Sequence, residues 1–455
     1  MRTSIATTTF LLSFLFANSH LQAQVRAHEP VILTGERLPD WTGVPVAEMF
    51  LLAFVDGEWH QVGFQVDERD PDGSYTNPDD GAWDANDELV FQPQDGGQPV
   101  MISTWLSDPD SSGFPRQRID VADPVTESTT TFYLYRSSSL LHDDVPGHMT
   151  YDADADLIQS QAYRAGFDDS LLMIDELRLG APDAEPDDIL DREKIRIQGQ
   201  ILAFPFTLTE EDLAPQQLHT IAGKVRVIRI VEREVSILTT TIPYTETKYF
   251  YRSFFGAPPA SLTVDASMGV TGFRLSYDLT AAAADASFDN PNNTAIPVDG
   301  MDDSGVDTTL STEQQTNYWA SVTSLDWSLI TTARFSGIAE TATLYYHDRT
   351  DGSTADGTVD TGDQESYGDN GVRLENPLGG EAELISWFYV AEPGALDGPT
   401  ASSYMQNPLT VENTSEEAAA GLGELVALWL EDHPDTGLPV SVLDMVDLVS
   451  GLPGG

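Results

Sequence analysis

The sequence contains no cysteine and very little basic charge. The absence of cysteine from all 455 residues excludes thiol nucleophiles, thiolate metal sites and disulfides, and a chain of this length can bury an adequate core without them. Only 22 Lys and Arg residues stand against 74 Asp and Glu residues, which gives a formal net charge of −52. Because polyanions repel such a chain, we expect it to bind neither nucleic acid nor an anionic membrane surface.

The sequence also has only one long apolar run. The run spans residues 5–17, follows Arg2 and ends shortly before Ala23, a small residue suited to cleavage by a signal peptidase. It is shorter than the roughly 20 residues that cross a bilayer, and no second run of that length occurs. Residues 1–23 are therefore predicted to be a cleavable signal peptide. The mature chain is predicted to be secreted, periplasmic or on the cell surface, without membrane insertion.

Short runs of alternating apolar and polar residues dominate the mature sequence. Asp56-Gly57 separates two such runs, which is a strong β-hairpin signal. Long alternating segments within residues 194–279 favour a broad antiparallel sheet. The predicted fold is therefore all-β, an antiparallel β-sandwich or super-sandwich with a short C-terminal helical tail.

The mature chain is predicted to have three parts. An N-terminal β region covers residues 24–145, the main β-sandwich region covers 146–408, and the helical tail covers 409–455. The tail carries Thr414-Ser415-Glu416-Glu417, a capping-box pattern, followed by apolar residues at helical spacing. It is interpreted as a helix pair that closes an edge of the sandwich. The alternative, an assembly or anchoring element, is not adopted because the Asp-x-Asp-x-Asp-Gly loop that it would require is missing beside the tail.

Two Asp-rich loops offer candidate ligands for a hard cation. Ca²⁺ prefers roughly six to eight oxygen ligands, and glycines within these loops allow tight turns that bring carboxylates together. The candidate metal ligands are Asp67, Asp70, Asp72, Asp84, Asp87, Asp348, Asp351, Asp356, Asp360 and Asp363. The alternative is that these side chains bond their own turns and that the acidity is a solvated surface suited to salty surroundings. Calcium is the only cofactor that the sequence indicates.

A cluster of basic residues interrupts the acidic sequence, with nine Lys and Arg residues within positions 192–252. Strand alternation places some of them on one face of the predicted sheet. The candidate substrate-binding residues are Lys194, Arg196, Lys224, Arg226 and Arg252, and the candidate proton carriers are His219, Tyr249 and Tyr251. Arg binds carboxylates in bidentate fashion, and Tyr or His moves protons. The alternative is cross-strand ion pairing with the interleaved glutamates Glu193, Glu232, Glu234 and Glu246.

One short part of the sequence resembles a known group of proteins. The segments Val62-Gly63-Phe64-Gln65-Val66-Asp67-Glu68 and Asp84-Ala85-Asn86-Asp87-Glu88-Leu89-Val90-Phe91 are similar to the opening of secreted bacterial β-sandwich proteins. Some of those are associated with polysaccharide degradation, including enzymes that act on unsaturated rhamnogalacturonan products. The resemblance covers two strands and a turn, and Gly63 replaces an expected Pro. It implies a secreted sandwich and favours a polysaccharide partner, and it carries no catalytic residue over.

Two functional hypotheses follow from these features. The first is a secreted protein that binds or degrades an extracellular, possibly acidic, polysaccharide through the 194–252 sheet, and an enzyme of this kind would be a polysaccharide lyase or glycoside hydrolase. The second is a non-catalytic, Ca²⁺-stabilised surface, adhesion or structural protein. A cleft that gathers Arg, Tyr and His favours the first, and a sheet in which each Arg is paired with a carboxylate favours the second.

Overall fold

The computed structural model describes residues 25–76, 80–201, 204–237, 240–264, 269–301, 305–337, 342–375 and 380–418. The predicted signal peptide at 1–23 lies outside these residues. Within them the protein is almost entirely antiparallel β-structure, which confirms the predicted fold class. The elements in chain order are β1 (Val31–Thr34), β2 (Met49–Val55), β3 (Glu58–Gln61), β4 (Phe64–Asp67), β5 (Glu88–Phe91), β6 (Arg116–Asp123), β7 (Ser128–Arg136), β8 (Met149–Asp152), β9 (Leu157–Ser160), β10 (Tyr163–Phe167), β11 (Ile174–Leu179), β12 (Leu190–Ile201), β13 (Phe204–Thr209), β14 (Leu213–Ala222), β15 (Arg226–Ile237), β16 (Thr240–Tyr251), β17 (Phe254–Val264), β18 (Val270–Leu279), β19 (Ser287–Asp289), β20 (Ile296–Pro297), α1 (Thr312–Thr316), β21 (Tyr318–Thr323), β22 (Ser328–Gly337), β23 (Ala342–His347), β24 (Asp369–Glu375), β25 (Gly380–Ala391), α2 (Gly398–Gln406) and β26 (Thr410–Glu416).

The first sandwich consists of a three-stranded sheet, β1-β5-β4, packed on a five-stranded sheet, β26-β6-β7-β2-β3. Their inward-facing side chains share one core, in which the Phe91 and Phe132 rings lie 4.6 Å apart. The predicted hairpin is present, since Val55 pairs with Glu58 across the two-residue turn. Asp56 and Gly57 both have positive φ, as the turn types that match strand twist require.

The second part contains a nine-stranded sheet, β14-β15-β16-β17-β25-β22-β21-β19-β20, and a five-stranded sheet, β13-β12-β18-β24-β23. A four-stranded sheet, β11-β10-β9-β8, joins the same core. Phe250, Phe255 and Phe388 contribute rings from the nine-stranded sheet, and Leu279 and Leu344 contribute from the five-stranded sheet. The alternating residues between 194 and 279 therefore form neighbouring strands of two facing sheets rather than one sheet.

The chain returns to the first sandwich at its C-terminal end. Residues 410–416 form β26, which pairs with β6 along its whole length. The capping box predicted at Thr414 is therefore wrong, because backbone pairing over seven residues outweighs a four-residue local pattern. The rest of the predicted helical tail, from 419 onward, lies outside the described residues. A helix does precede β26: the Asp397 side chain accepts a hydrogen bond from the Thr400 amide at 2.8 Å and caps α2.

None of the helices in the described ranges is both long and apolar enough to cross a membrane.

Candidate functional sites: buried ion pairs and an acidic loop cluster

Arg226 lies at the joint between the first sandwich and the nine-stranded sheet. Its side chain is 1% exposed, its Nε donates to Asp67 Oδ2 at 2.7 Å, and its Nη2 pairs with Glu88. These two carboxylates oppose each other on β4 and β5. The Gln65 side-chain oxygen also accepts hydrogen bonds from the amides of Val225 and Arg226, at 3.1 and 3.0 Å. The predicted substrate ligand Arg226 thus holds two parts of the protein together.

Tyr249 and Tyr251 lie at the same joint. Tyr251 opposes Arg226 across β15 and β16, and its hydroxyl lies 3.4 Å from Nη1 of that arginine. The Tyr249 hydroxyl lies 3.1 Å from the Tyr75 hydroxyl, which donates to Glu88 at 2.9 Å. Burial, only partly offset by the Arg226 charge, raises the pKa of Tyr251 to about 12. A buried phenol that holds its proton this firmly is unsuited to act as a base at neutral pH.

His219 does not join these tyrosines. It lies on β14 opposite Ile230, on the far side of β15 from Tyr249. Its ring is exposed, and its Nε2 lies 3.9 Å from Glu232. The three predicted proton carriers therefore share a sheet face without forming a common site.

Lys194 and Arg196 are buried on the outer face of β12. The Lys194 ammonium is 0% exposed and contacts Asp278 and Asp360, the latter at 2.7 Å. The Arg196 guanidinium, 1% exposed, pairs with Glu210 and donates to Thr361 Oγ1. Although burial alone would lower the pKa of Lys194, the charges of Asp278 and Asp369 and the hydrogen bonds to Asp278 and Asp360 together outweigh burial and raise that pKa above its ordinary value.

The second Asp-rich loop covers this basic face. Asp360 contacts Lys194, and Asp356 lies 3.6 Å from Arg274 on the neighbouring strand β18. Asp348 accepts hydrogen bonds from three backbone amides, at 2.9, 3.0 and 2.9 Å. The predicted metal ligands of this loop therefore do not converge on one point. Asp356 and Asp360 contact buried cations, and Asp348 accepts hydrogen bonds from backbone amides.

The remaining carboxylates of that prediction, Asp351 and Asp363, are exposed and close their own turns. Each accepts a hydrogen bond from the amide two residues ahead, at 3.0 and 2.8 Å. Asp72 in the first loop does the same with Ser74 at 3.0 Å. These contacts match the turn-capping alternative.

A further ion-pair cluster lies between the two large sheets. Lys248 contacts Glu246 at 2.6 Å and Glu193 on the facing sheet, and Arg233 donates to Glu246 at 2.6 Å. Burial opposes ionisation of Glu246, yet Lys248 and Arg233 lower its pKa to about 2. Ion pairing with the interleaved glutamates, the alternative raised for the basic cluster, is thus present at Glu193 and Glu246.

Lys224 and Arg252 are the two predicted substrate ligands that stay accessible. Lys224 is exposed and donates to the Val145 carbonyl at 3.1 Å. Arg252 is half-buried and donates to the Gln161 side chain at 3.3 Å. Neither contacts a candidate proton carrier among the described residues.

The first Asp-rich loop does gather three carboxylates. Glu68, Asp84 and Asp87 each place an oxygen within 4.8 Å of the other two, and they are the one such group among the described residues. Burial first, and then repulsion by Asp87, Asp80 and Asp84, raises the pKa of Glu68 to about 7. Burial likewise raises the pKa of Asp87. Asp70, by contrast, uses its backbone to close the turn with Ser74.

Sequence reasoning missed Glu68 as a partner of Asp84 and Asp87. The signal was present in the antiparallel pairing of the two segments: if Asp67 faces Glu88, then Glu68 and Asp87 leave the pair at the same end. It also missed Arg274 and Asp278, whose burial depends on contacts between β12, β18 and the loop above them.

A polar groove of about 450 Å³ lies on the four-stranded sheet, lined by Gln159, Arg164, Arg178, Gly180, Glu185 and Pro186. Arg164 and Arg178 face each other on β10 and β11. Both contact the same Glu176 carboxylate, at 2.9 and 2.8 Å. Two partly exposed guanidinium groups thus stand side by side in this groove.

Comparisons with known proteins found matches among solved structures alone. No protein-family model matches the sequence, and no curated protein matches it. Among solved structures, the chain is similar to an α-mannosidase from Enterococcus faecalis V583, with a TM-score of 0.45 and 9% identity over 87% of this chain. It is also similar to a glycosyl hydrolase family 38 protein from Enterococcus faecalis, with a TM-score of 0.45 and 8% identity over 88%. The chain spans 45% and 47% of those structures, less than half of each.

Proposed function

We propose that this protein is an exported, non-catalytic surface or adhesion protein whose basic residues serve internal ion pairs. One observation carries the proposal: Lys194, Arg196 and Arg226 are each at most 1% exposed, and each contacts buried carboxylates. Residues in that state are not free to neutralise the carboxylate of an incoming sugar. Export is proposed from the apolar run at 5–17.

The charge distribution supports the same role. Because the buried cations are already neutralised by partner carboxylates, the large excess of Asp and Glu remains at the surface of a chain with net charge −52. Mutual repulsion of such surfaces keeps molecules apart, and salt screens it. A protein with this surface is suited to a salty exterior and to partners that are neutral or cationic.

Carbohydrate binding without cleavage is the second candidate, favoured by the groove on the four-stranded sheet. Arg164 and Arg178 there can offer charge-assisted hydrogen bonds to an acidic sugar. Such a ligand has to compete with Glu176, which both arginines already contact. The groove thus replaces the 194–252 sheet as the place where an acidic polysaccharide would bind.

The test combines turnover with binding on the mature chain. A panel of acidic and neutral polysaccharides is incubated with the protein, and unsaturated or reducing products are measured alongside retention on a glycan array. The proposal predicts no product from any substrate. Product release that disappears in Tyr249→Phe or His219→Ala would overturn it and restore the enzyme hypothesis.

The array separates the two candidates. Retention on acidic glycans that is lost in an Arg164→Gln/Arg178→Gln double variant, and kept in Lys224→Gln, would establish carbohydrate binding at the groove. Absence of retention on all glycans supports the surface or adhesion role. N-terminal sequencing of exported protein should begin at or near Gln24, and a mature chain that retains Met1 would contradict export by signal cleavage.

A further inference from the structure

Glu68, Asp84 and Asp87 meet where the β4–β5 pair ends. Asp67 and Glu88 oppose each other in register, so Glu68 leaves β4 at the end where Asp87 enters β5. The turn that precedes β5 brings Asp84 to them, and three formal negative charges converge within 4.8 Å. None of the described Lys, Arg and His side chains forms an ion pair with any of these three residues.

The loop's own amides do not satisfy the cluster. Asp84 Oδ1 accepts from the Asn86 amide at 3.1 Å, and Glu68 Oε2 accepts from the Asp80 amide at 3.3 Å. Asp87 Oδ2 accepts from the Asp84 amide at 2.8 Å. The Asp87 side chain is 0% exposed, and its other oxygen, Oδ1, has no hydrogen bond of normal length and angle. The backbone amide of Arg69 also acts on this carboxyl and partly offsets the rise in its pKa that burial causes.

A buried carboxylate oxygen without a donor is costly unless some positive charge reaches it. Two like-charged neighbours increase that cost, since the three carboxylates repel one another. Both observations point to a cation that is bound by this cluster.

We propose that Glu68, Asp84 and Asp87 bind one Ca²⁺ ion. Oxygens that lie about 2.3–2.6 Å from a common Ca²⁺ can be at most about 4.6–5.2 Å apart, whereas the shorter bonds of Mg²⁺ require about 4.2 Å or less. The three oxygens all lie within 4.8 Å of one another, a span that one Ca²⁺ ion can bridge, and competition with Mg²⁺ distinguishes the two ions. Asp84 is half-buried, so water can complete the coordination on that side.

The position of the site gives the ion a structural role. Glu68 and Asp87 directly adjoin Asp67 and Glu88, the two carboxylates that hold Arg226 at the joint between the sandwiches. A bound ion would fasten the 80–87 loop against the end of β4 and steady that joint. This inference does not depend on the proposed surface or adhesion role, because neither glycan binding nor turnover enters its test.

The test measures ion binding and stability on the mature protein after chelation. Tb³⁺ substitutes for Ca²⁺, and the buried Trp83, adjacent to Asp84 in the chain, serves as the luminescence sensitiser. We expect saturable Tb³⁺ luminescence that Ca²⁺ displaces, and a melting temperature that rises saturably with Ca²⁺ beyond the effect of NaCl at equal ionic strength. Both responses should disappear in Glu68→Gln/Asp87→Asn.

The same double variant distinguishes ion binding from a role of the Glu68 and Asp87 side chains in the fold alone. Without Ca²⁺ it should be at least as stable as the unchanged protein, because two repelled carboxylates are gone; with Ca²⁺ the unchanged protein should be the more stable. Asp72→Asn, on the exposed part of the same loop, is the matched control and should retain the full Ca²⁺ response. An unchanged response in the double variant, a response no greater than that to NaCl, or a response to Mg²⁺ at equal or lower concentration would overturn the assignment.

Discussion

Replacing Arg226 by Met tests the buried joint. The guanidinium is 1% exposed and contacts Asp67 and Glu88, which are buried themselves. The change leaves the buried Asp67 carboxylate without a cation and leaves Glu88 paired with Arg69 alone. Breaking one buried pair from one side costs about 3–5 kcal/mol, so we expect Arg226→Met to lower the free energy of unfolding by at least about 3 kcal/mol at pH 7.

The pH dependence of this loss has a definite sign. Against the effect of burial, Arg226 holds the pKa of Glu88 below its ordinary value, so Glu88 contributes stability above that value and loses it as the pH falls. Without Arg226, the pKa values of Glu88 and Asp67 should both rise. The difference between variant and unchanged protein should therefore be largest near neutral pH and should shrink below about pH 5.

Urea unfolding followed by tryptophan fluorescence measures this difference, since Trp41 and Trp83 are buried in the first sandwich. Lys224→Gln is the control, because that exposed lysine makes one hydrogen bond to a carbonyl and should cost less than about 1 kcal/mol. Adding Asp67→Asn and Glu88→Gln to Arg226→Met should recover much of the loss. A loss below about 1 kcal/mol at pH 7, the range of an exposed pair, would refute the reasoning.

Three further predictions concern other parts of the fold. Glu416→Gln should lower stability to urea by about 3 kcal/mol, because it removes the carboxylate that pairs with the buried Arg116 at 2.6 Å. Gly371→Ala should lower the free energy of unfolding by about 1–3 kcal/mol, because a Cβ there overlaps a backbone carbonyl of the adjacent strand. Gly113→Ala is the control and should be nearly neutral, because a Cβ there has no neighbour within 4 Å. Burial lowers the pKa of His28 to about 4, so the contribution of this histidine to stability should rise with pH between about 4 and 6.5. An NMR titration should place this pKa well below 6.5, and the difference in stability between His28→Gln and the unchanged protein should vary with pH over that window.

Local signals predicted the fold well where a single pair of strands determines the result. The Asp56-Gly57 turn folds as expected because its two positive φ values are a property of those two residues. The tail prediction at Thr414 failed because β26 pairs with β6, nearly 300 positions earlier in the chain. The preference of four residues for a helix cap cannot anticipate a partner at that distance.

The candidate site was harder to predict for the same physical reason. The sequence contains both a basic cluster and two acidic loops, and each suggested a different ligand. The structure places Asp360 of one loop against Lys194, and Asp67 of the other against Arg226, so the two features are partners of each other. A carboxylate that is paired with a buried Lys or Arg is not available to a metal ion. Asp87 is available because none of the described buried cations pairs with it, and this can be seen only in the folded structure.

Amine labelling tests most directly the claim that the basic cluster is internal. The chain has three lysines, at 194, 224 and 248; Lys194 is fully buried, Lys248 is held by two glutamates, and Lys224 is exposed. Brief acetylation of the native mature protein, followed by peptide mass spectrometry, should modify Lys224 and leave Lys194 and Lys248 unmodified until the protein is unfolded. Labelling of Lys194 and Lys248 as fast as Lys224 in the native state would place the basic cluster on an open surface and contradict the account.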